Sequence, residues 1–66
     1  MYSFGQHLTD DLHFSDHMKH QVPVQIYYDN AHKDVGFVET YTPMFIKVNN
    51  TFYNRTHYTF VSRPGY

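Results

Sequence analysis

The chain has 66 residues, no cysteine and a formal net charge of −1 from five basic and six acidic residues. Such a length holds one domain at most and buries only about 60% of its unfolded surface, so the core is marginal. Without cysteine neither a disulfide nor a CxxC zinc site can reinforce it, and the charge lacks the basic excess of a generic nucleic-acid binder. Seven tyrosines and six phenylalanines must therefore supply most of the buried bulk. A small sheet with free edges also invites neighbours, so a homo-oligomer or a tight partner is expected. No apolar run is long enough to cross a membrane, and the N-terminus lacks a basic stretch followed by an apolar one. A cytoplasmic protein without a membrane partner is the expectation.

Residues 1–21 read as an arm followed by a short helix. Thr9 or Asp10 can N-cap a helix running to about His20, with Asp10 and Asp11 at the positive end of its dipole. Ser15 and Asp16 offer a competing start. Leu8, Leu12 and Met18 lie near a helical period, and Phe14 falls off it. His13, Asp16, His17 and His20 stand at i, i+3, i+4 and i+7, on one helix face. That set is either a solvated polar face or a chelating site for zinc, nickel or copper. It lacks an HExxH arrangement, so metalloprotease chemistry is not indicated.

From residue 22 onward the period changes to that of strands. Val22, Val24, Ile26 and Tyr28 alternate with Pro23, Gln25 and Tyr27, as in a half-buried strand. A polar turn over residues 29–34 leads to a second strand, Val35 to Tyr41, in which Gly36 marks a sharp bend or bulge. Thr42-Pro43 breaks the pattern before a third strand, Met44 to Val48. Asn49-Asn50 suits a two-residue hairpin loop into a fourth strand, Thr51 to Arg55. His57 to Ser62 makes a fifth. The expected fold is mainly β: a small, strongly bent five-stranded SH3-like or Sm-like barrel with a short N-terminal helix. It forms a single domain, 1–66, with helix and arm in 1–21 and barrel in 22–64. Phe37, Phe45 and Phe60 are expected in its core, whereas Tyr27 alternates to the face opposite Ile26 and is either core or a stacking platform.

Val22-Pro23-Val24-Gln25-Ile26-Tyr27 is similar to the opening strand of the Hfq-type RNA chaperones of the Sm-like superfamily. The similarity runs on through Asn30, Lys33, Gly36, Glu39, Ile46 and Asn50-Thr51, and Ser62-Arg63-Pro64 resembles the family's closing strand. The resemblance implies a ring that binds single-stranded RNA, with Tyr27 and Lys33 matching one face. Tyr53-Asn54-Arg55 and His57 stand near the family's pore motif, but Pro43-Met44 replaces its glutamine-phenylalanine pair. Tyr27, Lys33, Arg55 and His57 are the implied RNA-binding residues. The reading from another class is an SH3-like module that grips a protein partner by an aromatic surface or an open edge. No nucleophile elbow, phosphate-cradling glycine loop or spaced carboxylate pair is present, so neither an enzyme nor a cofactor is expected.

Overall fold

The structure, a computed structural model, describes residues 2–66. Among them the chain is mainly β, with seven strands in two antiparallel sheets and one helix. In chain order these are β1 (His7–Leu8), α1 (Asp11–His20), β2 (Val24–Tyr28), β3 (Ala31–Gly36), β4 (Val38–Tyr41), β5 (Phe45–Val48), β6 (Thr51–Asn54) and β7 (Thr59–Ser62). One sheet has the order β1-β7-β2-β3 and the other β4-β5-β6.

Both tight hairpins come from side-chain chemistry at two residues. Asn49 and Asn50 take φ angles of 50° and 64°, and Asp29 and Asn30 take 50° and 67°. Paired left-handed residues give the turn whose twist matches the flanking strands, and Asn and Asp tolerate that region. The polar turn expected over residues 29–34 is thus only Asp29-Asn30. His32, Lys33 and Asp34 belong to β3 instead, an outer strand on which charge discourages further pairing.

The expected strand from Val35 to Tyr41 divides at Phe37, and the chain changes sheets there. Gly36 makes the crossing possible. A Cβ at that position would lie 2.9 Å from the Asn49 amide nitrogen and 3.0 Å from a Val48 methyl. The corner is then pinned by Asp34, which accepts from the Tyr53 hydroxyl at 2.7 Å and from Asn49 Nδ2 at 2.9 Å. Burial pushes the Asp34 carboxyl up, but donors from Tyr53, Asn49 and the Val35 N–H more than offset it and leave it below its ordinary value. Tyr53 is pushed up to about 12 by burial and by its bond to that carboxylate.

The core consists of Leu8, Phe14, Val24, Ile26, Val38, Ile46, Val48 and Phe60. The helix contributes Phe14, whose ring meets Phe60 edge-on at 5.4 Å, and His17. This corrects the expected stripe, because Leu12 is exposed and Leu8 is buried from β1 rather than from the helix. Asp10 is the N-cap, and His13 Nδ1 reaches back to accept the Thr9 and Asp10 N–H groups at 3.0 and 3.2 Å. Two further corrections concern aromatics: Phe37 is 46% and Phe45 36% exposed, and only Phe60 is core. Phe37 sits at the sheet change, and Phe45 points away from the buried Ile46 and Val48 beside it.

The arm packs against the sheet over residues 5–8. Gly5 N–H donates to the Ser62 carbonyl at 2.7 Å and Ser62 N–H donates to that of Gln6 at 2.8 Å. Beyond them β1 pairs with β7 as His7 opposite Val61 and Leu8 opposite Phe60. With β2 on its other side, β7 has both edges occupied.

Candidate functional site

The four residues implied for RNA binding are not gathered into one surface of free side chains. Arg55 is a clasp. Its Nη1 donates to Asp11 Oδ1 at 2.5 Å and to the Thr42 carbonyl at 2.7 Å, and its Nη2 to the Thr9 carbonyl at 2.9 Å. The guanidinium also lies 4.9 Å from the centre of the Phe14 ring. It therefore ties the β6–β7 turn to the start of the helix and to the β4–β5 loop, and offers little to a ligand. His57 is exposed in that same turn, its backbone N–H bonded to the Asn54 carbonyl at 3.1 Å. Tyr27 is half-buried and accepts a hydrogen bond from Arg63 at 3.0 Å, with His32 edge-on at 6.1 Å. Lys33 is exposed, and its ammonium sits 6.0 Å from the Tyr28 ring.

The chelating set on the helix is corrected by the same kind of accounting. Among the described residues no group of three or more His, Cys, Asp or Glu side chains is arranged to hold a metal ion. His17 is fully buried, with Nδ1 2.7 Å from the His13 carbonyl and Nε2 2.6 Å from Ser62 Oγ. A carbonyl only accepts, so Nδ1 carries the proton and Nε2 accepts from the Ser62 hydroxyl. Asp16 accepts from the Tyr2 hydroxyl at 2.7 Å, and His13 serves the helix start. Of the four, His20 alone has no such role. The i, i+3, i+4, i+7 spacing was right for one helix face, but that face turns towards the protein's own arm and β7.

One available surface lies on the three-stranded sheet. Arg55 N–H donates to the Met44 carbonyl, so the alternation of the antiparallel ladder places the Phe52 N–H and C=O and the Asn54 N–H on the outer edge of β6. β6 has β5 as its sole strand neighbour among the described residues. Phe45, Lys47 and Phe52 share the outward face beside this edge. Phe45 and Phe52 meet edge-on at 6.2 Å, and the Lys47 ammonium stands 5.4 Å from the Phe52 ring centre. Lys47 is itself 3.9 Å from Glu39, so its charge is partly matched. Phe52 is 56% and the neighbouring Met44 59% exposed. Sequence reading missed this patch, since alternation alone does not say which face of a short strand is covered.

No known protein family, curated protein or solved structure matches this chain.

Proposed function

We propose that the chain is a non-enzymatic protein-interaction module that adds an extended segment of a protein partner to the outer edge of β6. In this reading the two sheets are halves of a strongly bent five-stranded barrel of the SH3-like or Sm-like plan. β3 and β4 act as one strand bent at Phe37, and β1 is an addition. The observation that carries the proposal is the contrast between two edges: β7 is closed by residues 5–8, whereas β6 is open beside exposed Phe45 and Phe52. Main-chain hydrogen bonds along such an edge supply affinity, and apolar contacts with alternate side chains supply selectivity. A ring built by pairing β6 of one copy with β7 of the next would have to displace the chain's own arm. At this edge a protein segment is favoured over single-stranded RNA, because Arg55 is engaged internally and Lys47, the base beside the aromatics, faces Glu39.

The test uses two labelled probes, a peptide alternating valine and threonine and a single-stranded oligoadenylate, each at low and high salt. The peptide is expected to bind with little salt dependence and to weaken at least about tenfold in Phe52→Asp. Binding of the oligonucleotide but not the peptide, weakening steeply with salt as phosphate contacts require, would overturn the proposal.

A further inference from the structure

On the outer face of the four-stranded sheet, Arg63 is immobilised and, among the described residues, has no anionic partner. Its Nε donates to Gln25 Oε1 at 2.6 Å and its Nη2 to the Tyr27 hydroxyl at 3.0 Å. The Gln25 amide is turned the right way by His32, whose Nδ1 lies 2.8 Å from Gln25 Nε2. Phe4 stacks on the guanidinium, with 4.6 Å between its ring centre and the central carbon. These contacts take Nε–H and the Nη2 hydrogen on its side, and the end-on fork, formed by Nη1 and the second Nη2 hydrogen, has no partner among the described residues. The ion pairs among the described residues join Lys47 to Glu39 and Arg55 to Asp11, and none includes Arg63.

Beside Arg63 lies a cavity of about 330 Å³ whose wall includes Gly5, His7, Tyr27, Asn30 and Thr59 and no carboxylate. Gly5 has a φ of +84°, and a Cβ there would come within 3.1 Å of Arg63 Nη1. The bare glycine thus keeps the fork accessible. A cation already ordered by its neighbours loses little entropy when an anion docks.

We infer that this cavity is a binding site for a phosphate monoester or inorganic phosphate. The fork can hold two oxygens, and Asn30, Thr59 and His7 provide donors for the others, which a carboxylate does not have. The site lies on the other sheet from the β6 edge, so it stands or falls independently of the partner proposal.

The test follows the Arg63 Nε–H resonance by ¹⁵N NMR during titration with sodium phosphate at constant ionic strength, with acetate and dimethyl phosphate as parallel titrants. Phosphate is expected to shift Arg63 and the Thr59 and Asn30 amides saturably, with acetate and dimethyl phosphate at least about tenfold weaker. Arg63→Lys, which keeps the charge but not the fork, should weaken binding by about tenfold or more. Thr59→Val, at an exposed strand position suited to valine, should weaken it severalfold without loss of fold. No saturation, equal affinity for either control titrant, or wild-type titration of both variants would overturn the site.

Discussion

Arg55→Ala is expected to destabilise the protein by about 3 kcal/mol, measured by urea denaturation. The figure follows from hydrogen bonds made by a charged donor, each worth about 1.5–3 kcal/mol, with the exposed Asp11 contact counted as small. The two backbone acceptors, Thr42 and Thr9, lose their donor, and Phe14 loses its stacked cation. In a domain of this length, total stability is on the order of 3–10 kcal/mol, so such a loss populates the unfolded state. Arg55→Lys is expected to recover less than half, because an ammonium cannot reach Asp11, Thr42 and Thr9 from one fixed plane. A change within about 0.5 kcal/mol for Arg55→Ala, the range of ordinary surface positions, would show that the guanidinium is not a clasp. It would then return to the pool of ligand-binding candidates.

The second large effect is a loss of stability in mild acid centred on His17. Burial lowers the affinity of its ring for a second proton; the His13 carbonyl and Asp16 act the other way, and His13 adds a small further depression. The groups around the ring are His13 and Asp16 on the helix, Tyr2 at 4.4 Å and Ser62 on β7. In the unfolded chain the ring titrates near its ordinary value of 6.5. Between that value and the lower folded one, the unfolded state binds more protons, so stability falls as pH falls. The contribution is fully present above about 6.5 and is lost below it, at no more than about 1.4 kcal/mol per pH unit for one proton. His17→Gln should flatten this part of the profile. An identical slope for wild type and His17→Gln between neutrality and pH 5 would contradict the assignment. The effect bears on the closed edge of β7 as well as on stability, because Ser62 holds both the His17 ring and the segment that closes β7.

Much of this fold was legible in the residues. Val24 and Ile26 announced a strand by alternation, Asn49-Asn50 announced a hairpin by their tolerance of positive φ, and Gly36 announced a bend by lacking a side chain. The helix appeared almost where Asp10 and Asp11 set it. What escaped depends on contacts between distant segments. His7-Leu8 is too short to carry a period, and it becomes a strand only because β7 offers it an edge. Phe14 looked misplaced on the helix until Phe60, forty-six positions on, supplied its partner. Phe45 reads like any core aromatic, yet a short strand with Ile46 and Val48 inside must turn it outward. The candidate site was legible in composition but not in allocation. Arg55 reads as a ligand-binding residue through the family resemblance and His17 through its helical spacing, and the structure uses both to hold itself together.

Amide hydrogen exchange, read residue by residue by NMR, tests the contrast between the two sheet edges most directly. The Gly5 N–H, bonded to the Ser62 carbonyl, and the Ser62 N–H, bonded to the Gln6 carbonyl, should be protected, and the Phe52 and Asn54 N–H groups on β6 should exchange quickly at every protein concentration. Fast exchange at Gly5 together with protection of Phe52 that grows with concentration would contradict this account. It would mean that the arm leaves β7 and that β6 of a second copy takes its place.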